Sequence, residues 1–279
     1  MNAQRLVLPP GHPLHPVVQS IWAVQAGQGD AGYAGETILP KGIVDIIFDL
    51  HGTAYSVVRG GKAFIAAAER IRITGVQTTA LTAVPSSGLH LLGVCVRAEW
   101  AAALLALPLS EATDVWVEGR LVLEGAEEVW ERLCEAPDFA ARCAIVVPWL
   151  TARLRPRPEA GLLAHACRAM ADPRARFADE GGVRIVAKSL YVSERHLRRL
   201  FLDRVGVSPS SYLRLSRFVR AMHLLEGRGS LTRVAHAAGY YDQAHFCRDF
   251  KVLGGITPSQ YRDAKGPVTG HVFMAQMSD

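Results

Sequence analysis

The sequence lacks the features that mark secreted, membrane-spanning and disulfide-linked proteins. No apolar run is long enough to cross a bilayer, and the first residues, Met1 to Arg5, are soon followed by prolines rather than by the apolar core of a signal peptide. The five cysteines are widely spaced and include no Cys-x-x-Cys pair, so we expect neither disulfides nor a zinc site. These absences predict a cytoplasmic protein that has no membrane partner.

Sequence motifs for catalysis and for metal binding are missing as well. There is no Gly-x-Ser-x-Gly nucleophile elbow and no glycine-rich phosphate loop. No two histidines have the His-x-His spacing that lets neighbouring strand residues hold one metal ion. The sequence therefore predicts a protein that is not an enzyme and has no cofactor or metal. A DNA-binding enzyme or a metal-dependent barrel protein is the alternative interpretation.

Charged residues are divided unevenly along the 279-residue chain, which is long enough for two domains. Residues 1–158 contain 13 basic and 15 acidic side chains, whereas residues 159–265 contain 18 basic and 10 acidic ones. A positive region joined to a slightly negative one is typical of a protein that binds the DNA backbone with one part only. We therefore predict an effector-sensing or dimerisation domain at 1–158, a DNA-binding domain at 159–265 and a tail at 266–279, with a proline-containing linker at 153–158.

The region 183–262 contains two copies of one pattern. Each copy predicts a helix, a tight turn and a second helix, because apolar residues recur at helical spacing on both sides of a turn. This is the arrangement of a helix-turn-helix unit, whose second helix enters the major groove of double-stranded DNA. At an offset of 49 residues the coinciding pairs are His196/His245, Arg199/Arg248, Phe201/Phe250, Gly206/Gly255, Pro209/Pro258 and Tyr212/Tyr261.

Capping residues predict where the second helix of each unit begins. Ser193 caps the one in the first unit, and Gly239 followed by Asp242 marks the start of the one in the second. The outward side of the first of these helices carries three arginines, which are suited to guanine recognition. The second carries fewer strong hydrogen-bond donors. The predicted DNA contacts are Arg195, Arg198 and Arg199 in the first unit and Gln243, Ala244, Cys247 and Arg248 in the second.

A further predicted helix, 212–225, connects the two units and fixes their separation. It carries Arg214, Arg217 and Arg220 at intervals of three. We interpret these arginines either as contacts to DNA phosphates or as solvated side chains. Arg217 completes the set of predicted DNA contacts.

These residues resemble the arabinose-regulator (AraC/XylS) family of transcription factors. The resemblance implies two helix-turn-helix units that occupy successive major-groove segments, a role as an activator, and RNA polymerase as a partner. One departure is Tyr191, which stands where the second unit has Gly239. A tyrosine with positive φ is strained, so we expect a looser or differently shaped turn there. The signature is carried by Val234-Ala235, Gly239-Tyr240, Asp242-Gln243, His245-Phe246, Arg248, Phe250-Lys251, Gly255, Thr257-Pro258 and Tyr261-Arg262.

Upstream of residue 97 the sequence predicts a β domain. Short segments rich in branched residues are separated by Gly, Pro, Asp and Ser, which is typical of an antiparallel barrel or sandwich. Beyond residue 97 the apolar spacing becomes that of helices, which either form a dimer interface or cover an open side of the sheet. The predicted fold class is α+β, with a cupin-like barrel or sandwich and added helices before an all-α domain that holds two helix-turn-helix units. The predicted strands lie at 21–24, 36–39, 43–48, 55–58, 70–73, 81–84 and 89–96, and the two longer helices at 122–134 and 139–154.

A weaker resemblance covers this β domain. Its motifs are similar to the N-terminal domain in a subgroup of the same family, whose N-terminal domains are commonly cupin-like sensors or dimerisation modules. This implies a small-molecule effector and a homodimer. Asp45 lies in a strand that should be largely buried, and we interpret it either as a carboxylate satisfied by backbone or Arg97, or as a pocket acid that holds a cationic group of a ligand. Asp45 and Cys95 are the predicted effector contacts. The motifs are Leu39-Pro40, Gly42, Val44-Asp45-Ile46-Ile47-Phe48, Gly75-Val76-Gln77, Leu92-Gly93-Val94, Arg97 and Ala101-Ala102.

Overall fold

The computed structural model describes residues 2–27, 36–155, 157–172, 181–227 and 229–263. The predicted tail at 266–279 lies outside these ranges, as does Pro156 of the predicted linker. Strands come first and helices follow, which confirms the predicted α+β class. None of the described helices combines the length and the apolar character that a membrane span requires.

The described N-terminal strands form two antiparallel sheets. They are β1 (Asn2–Leu6), β2 (Val18–Ala26), β3 (Glu36–Ile38), β4 (Ile43–Asp49), β5 (Tyr55–Arg59), β6 (Lys62–Ala66), β7 (Ile71–Thr74), β8 (Leu81–Pro85), β9 (Leu89–Arg97) and β10 (Trp116–Glu118). The six-stranded sheet has the order β1-β2-β9-β4-β7-β10, and the four-stranded sheet has the order β3-β8-β5-β6. The predicted antiparallel β domain is thereby confirmed.

All seven predicted strands are present, but the sequence missed β1, β6 and β10. β1 is largely polar, β6 is exposed on both faces, and β10 has only three residues. Each of them lies at the edge of its sheet. Edge strands are not buried on one clean face, so they lack the alternation of polar and apolar residues on which the prediction depends.

Side chains of β4 alternate between two surroundings. Val44, Ile46 and Phe48 are fully buried on one face of the six-stranded sheet. Asp45 and Ile47 point to the opposite face, which is turned towards the four-stranded sheet. The central strand therefore separates an apolar core from a second interior that contains polar groups.

Helices cover the apolar face of the six-stranded sheet. The Trp149 ring packs edge-on against Phe48, with the ring centroids 6.0 Å apart. Of the two predicted alternatives, the structure thus supports the helices as a cover for the sheet. The described helices in this part are α1 (Ala98–Ala101), α2 (Ala126–Glu135) and α3 (Phe139–Arg153).

The rest of the described chain is helical and contains both predicted helix-turn-helix units. The helices are α4 (Ala160–Ala171), α5 (Gly181–Ser189), α6 (Glu194–Arg204), α7 (Pro209–Leu225), α8 (Leu231–Ala238), α9 (Gln243–Gly254) and α10 (Pro258–Asp263). Helices α5 and α6 form the first unit, α8 and α9 form the second, and α7 connects them. Both predicted caps are present, because the Ser193 side chain accepts from the His196 amide at 3.2 Å and Asp242 accepts from the His245 amide at 2.7 Å.

The turn in the first unit has the same form as the turn in the second, so the expected difference at Tyr191 is wrong. Tyr191 has a φ of 55° and Gly239 a φ of 93°, and both are left-handed. In each unit the next amide donates to the carbonyl five residues earlier, at 3.1 Å in the first turn and 2.9 Å in the second. Tyr191 therefore adopts a conformation that is unfavourable for L-residues by roughly 1–2 kcal/mol. The turn has the same shape as the one at Gly239.

The helix-turn-helix units each contact the β domain. In the first unit, the Thr113 hydroxyl donates to the Gly206 carbonyl at 2.8 Å. A Cβ at Gly206 would lie 2.7 Å from the Leu109 carbonyl oxygen, so the two backbones are in close contact. In the second unit, the Ala80 amide donates to the Leu253 carbonyl at 2.7 Å. Both units are therefore held against the N-terminal part of the chain.

Candidate DNA-binding surface and ligand pocket

Helix α6 presents an exposed arginine face. Arg195, Arg198 and Arg199 are all exposed, whereas Leu197 and Phe201 on the opposite side are fully buried. The Arg199 guanidinium also contacts the imidazole of His196, with Nη2 3.1 Å from Nδ1. The helix is thus held by its apolar side and offers three guanidiniums to a partner, which is the arrangement that a major-groove reader requires.

The equivalent face of α9 is less charged. Gln243, Ala244 and Arg248 are exposed, while Cys247 is half-buried against the apolar core. The amide oxygen of Gln243 accepts a hydrogen bond from the Thr232 hydroxyl of α8 at 2.6 Å, which holds the side chain at the start of the helix. This face therefore carries two side chains with strong hydrogen-bond donors, Gln243 and Arg248. Cys247 exposes only part of its surface to a partner.

Arg217 corrects the predicted set of DNA contacts. Its side chain is 6% exposed, and its guanidinium carbon lies 5.6 Å from the centre of the Tyr240 ring. A buried guanidinium on the inner side of α7 cannot reach a phosphate without leaving this position. The neighbouring arginines of α7 are not merely solvated either, because Arg220 donates to the carbonyls of Ala238 at 3.1 Å and Ala171 at 2.8 Å.

Asp249 explains why α7 carries arginines on its inner side. This aspartate of α9 is buried, and it forms an ion pair with Arg214 of α7. The Tyr240 hydroxyl donates to the other carboxylate oxygen at 3.1 Å. Burial and the adjacent carboxylate raise the pKa of the Tyr240 phenol. The arginines at intervals of three therefore attach the second unit to the connecting helix, a role that sequence spacing did not distinguish from phosphate binding.

A cavity of about 90 Å³ lies between the two β sheets. Its wall is made by the faces of the sheets that are turned towards each other, and it combines aromatic and aliphatic side chains with a few charged and polar groups. Asp45 and Cys95, the two predicted effector contacts, both line it and are directly opposite each other on β4 and β9. The lining residues include Trp22, Ile38, Lys41, Asp45, Ile47, Tyr55, Arg72, Thr74, Gln77, Leu91, Cys95 and Trp116.

Burial dominates the electrostatics of Asp45. It raises the pKa of this carboxyl, while the charge of Lys41 and a hydrogen bond from Cys95 act in the opposite direction with smaller effect. Its Oδ1 atom has no hydrogen-bond partner among the described residues. Asp45 therefore lines the cavity with one carboxylate oxygen that has no partner among the described residues.

Sequence reasoning missed the main cation of this cavity. Arg72 is 3% exposed, and its guanidinium carbon lies 4.3 Å from the centre of the Tyr55 ring and 4.9 Å from that of Trp116. The alternating sequence at 70–73 reads as a strand with its arginines towards solvent. Trp116, which covers Arg72, belongs to one of the edge strands that the sequence did not reveal. No pattern in the sequence identifies Arg72 as a pocket residue.

Two paired loops join the pocket to the helix-turn-helix units. The loop after β7 and the segment before β10 are bonded to each other, because the Gly75 amide donates to the Ala112 carbonyl at 3.1 Å and the Thr78 amide donates to Asp114 Oδ1 at 2.9 Å. The same two segments contain Ala80 and Thr113, which hold the second and the first unit. The pocket and both units thus share one pair of loops.

Comparisons with known proteins match two separate parts of the chain. Residues 186–264 match the family model of a helix-turn-helix domain, and residues 6–118 match a domain of unknown function (DUF6597). The chain is 36% identical over 78 residues to the uncharacterized HTH-type transcriptional regulator YijO of Escherichia coli K12, which is 28% of each chain. It is 33% identical over 90 residues to the HTH-type transcriptional activator RhaS of Escherichia coli O139:H28, which is 32% of each chain. The chain therefore spans less than a third of the length of these curated relatives.

The fold is shared over a longer stretch. ToxT of Vibrio cholerae superimposes with a TM-score of 0.50 and 10% sequence identity, over 87% of this chain and 98% of that one. This likeness shows that the two proteins share their fold over most of both chains. The helix-turn-helix part of the chain is therefore similar to part of HTH-type transcription regulators, and its N-terminal part matches a separate family model.

Proposed function

We propose that the protein is a sequence-specific transcription regulator that binds double-stranded DNA in the cytoplasm through α6 and α9. The observation that carries the proposal is the exposed arginine face of α6 on a unit that is repeated, with a rigid helix between the two copies. At 1.5 Å per residue, the 17 residues of α7 extend over about 25 Å. A helix of this length keeps the two units apart, as two readers on one side of the duplex require.

The two units should read their half-sites with different stringency. Arg195, Arg198 and Arg199 favour guanines, because a guanidinium donates to both O6 and N7 of one guanine. On α9, Gln243 and Arg248 supply donors, while Ala244 and the half-buried Cys247 offer contact with a thymine methyl group at most. We expect that half-site to depend more on DNA shape.

Selection of bound sequences from a random DNA pool, followed by affinity measurements, tests this proposal. Arg198→Ala and Arg199→Ala should each weaken binding to the selected site by roughly 1–3 kcal/mol and relax preference at one or two base pairs. Arg132→Ala on α2 is the matched control, because this exposed arginine lies on the β-domain side and should change neither quantity. If each arginine variant lost the same amount of affinity for selected and for random DNA, the arginine face would contact only phosphates.

We further propose that the regulator is an activator that contacts RNA polymerase and that a small-molecule effector binds in the cavity lined by Asp45 and Cys95. The paired loops that join the cavity to Ala80 and Thr113 support a response that reaches both units. Transcription in vitro from a template that carries the selected site tests the first part. An unchanged or lower transcript level on addition of the protein would contradict activation.

A second copy of the chain is the remaining proposed partner, and β6 supports this. It is an edge strand of the four-stranded sheet, and Phe64 is 49% and Ile65 80% exposed. An edge strand with apolar side chains is suited to pairing with another strand. Ile65→Lys should shift a dimer towards monomer in sedimentation velocity. A dimer that withstands this change would place the interface elsewhere.

A further inference from the structure

Arg72 is an unusual residue for the interior of a β sandwich. It is 3% exposed, and its Nε and Nη1 atoms have no hydrogen-bond partner among the described residues. Removing a guanidinium from water is unfavourable, and stacking on aromatic rings recovers only part of the lost hydration energy. The two rings against Arg72 therefore orient it without replacing the hydrogen bonds that it has lost.

The acid nearest in the pocket does not neutralise Arg72. Asp45 stands opposite Thr74, two positions along β7 from Arg72, so the two side chains are diagonal neighbours on one sheet face. Within the described part of the chain no ion pair joins them. Lys41 also lines the cavity. Within the cavity lining two cations thus face one acid, which gives the lining a formal charge of one positive unit, while Glu69 interacts with Arg72 from outside the lining.

The remaining lining sets the size and character of a ligand. The cavity of about 90 Å³ is smaller than the roughly 150 Å³ cavity that holds benzene in another protein, so the enclosed part of a ligand should not exceed the size of benzene, about six non-hydrogen atoms. Trp22, Ile38 and Leu91 form an apolar part of the wall. A guanidinium held against two rings is already oriented for the two oxygens of a carboxylate.

We propose that this pocket binds a short-chain organic acid, with the carboxylate on the guanidinium of Arg72 and the hydrocarbon part against Trp22 and Leu91. This rests on the proposed effector function and adds the chemical class of the effector. It makes Arg72, rather than Asp45 or Cys95, the anchor of the ligand. The neutral amide offers the guanidinium one uncharged acceptor in place of two charged oxygens, and the cationic analogue offers it no acceptor.

Three nearly isosteric probes test the proposal on the full chain by isothermal titration calorimetry. Isovalerate, isovaleramide and isovaleramidine have the same hydrocarbon part and carry a negative, a zero and a positive charge. Isovalerate should bind at least about tenfold more tightly than isovaleramide, and the amidine should bind most weakly. Equal binding of acid and amide, or no binding of isovalerate, would overturn the proposal.

Variants of Arg72 identify the anchor. In Arg72→Met the ratio of the affinities for acid and amide should fall to about one. In Arg72→Lys the ratio should become smaller but stay above one, because lysine keeps the charge and lacks the planar guanidinium. Arg70→Met is the matched control, since Arg70 is also stacked on a tryptophan, Trp130 at 4.4 Å, but lies outside the cavity. If Arg70→Met removed the preference as well, or if the Lys variant kept it in full, Arg72 would not be the anchor.

The same experiment separates the two proposals. Affinity for the selected DNA, measured without any acid, reports the regulator function and does not require Arg72. Intact DNA binding without a preference for isovalerate would overturn the ligand class alone. Loss of sequence-specific DNA binding in the unmodified chain would overturn the proposed function itself.

Discussion

Gly206 and Gly255 occupy the same place in the two repeats and offer a test of the contact between the first unit and the β domain. Both have positive φ, 92° at Gly206 and 73° at Gly255. Alanine at either position is therefore strained by roughly 1–2 kcal/mol from the backbone alone. The surroundings differ, because no atom lies within 4 Å of a Cβ at Gly255. At Gly206 the Cβ would lie 2.6 Å from Thr113 Oγ1 and 2.7 Å from the Leu109 carbonyl oxygen.

The expected difference follows from these distances. A backbone carbonyl cannot rotate away as a flexible side chain can, so Gly206→Ala must push the first unit off the 109–113 segment. The displacement breaks the hydrogen bond from Thr113 to the Gly206 carbonyl, which contributes on the order of 1 kcal/mol, and it loosens the packing around that bond. We therefore expect Gly206→Ala to lower the free energy of unfolding by at least about 1 kcal/mol more than Gly255→Ala.

Urea denaturation of the full chain, followed by circular dichroism, measures this difference. The rate of amide hydrogen exchange at residues 109–113 reports on this contact directly. The rate should rise in Gly206→Ala and stay unchanged in Gly255→Ala. Equal destabilisation by the two substitutions, with unchanged exchange in this segment, would refute the close contact. The comparison is internal to one protein, so the strain of positive φ cancels to a first approximation.

Two further changes test single features of the fold. Tyr191→Gly should raise the free energy of unfolding by about 0.5–1 kcal/mol, because it relieves a positive φ at a side chain that is 97% exposed and has no packing to lose; a lower urea midpoint would contradict this. Asp45→Asn should stabilise the protein at neutral pH. Burial raises the pKa of Asp45 in the folded state above its ordinary value of 3.8, so the folded protein binds this proton more tightly than the unfolded chain does. The contribution of Asp45 to the free energy of unfolding therefore falls as the pH rises from the ordinary pKa through the raised pKa of the folded state. The stability of Asp45→Asn relative to the wild type should thus increase with pH, and the difference should vanish in acid. Urea midpoints of the wild type and the variant across this pH range measure the difference. A stability gain in Asp45→Asn that is independent of pH would refute the raised pKa of Asp45.

Much of the fold was predictable because local signals and tertiary environment agree. Ser193, Asp242 and Gly239 have roles that local geometry alone decides, and the structure places each where the sequence predicted. The buried strands were recognisable by their branched residues. Edge strands such as β1 and β6 were not, since their composition is set by solvent on more than one side.

The side chains whose roles the sequence did not predict share one property. Each is a long cationic side chain that packs against residues from distant parts of the chain. Arg217 is buried by Tyr240, and Arg72 by Tyr55 and Trp116. The same residue type with similar spacing lies exposed on α6. Spacing shows on which side of a helix or strand an arginine stands, but only the packed structure shows what that side faces. Sequence alone therefore finds the arginine face of α6 and misses the anchor of the pocket.

The position of the paired loops limits how an effector can act on DNA binding. Ala80 and Thr113 contact backbone at the ends of α9 and α6, and none of these contacts involves the exposed faces that carry Arg198 or Arg248. A ligand that shifts the loops would thus change the placement of the two units relative to each other and leave their base contacts intact. Such a ligand alters affinity only to the extent that it binds the two arrangements differently. Its effect should therefore depend on the spacing between the two half-sites, and affinities measured on sites with one base pair inserted or removed between them would reveal this. An effector response that is the same at every spacing would mean that the signal reaches the reading helices by another route.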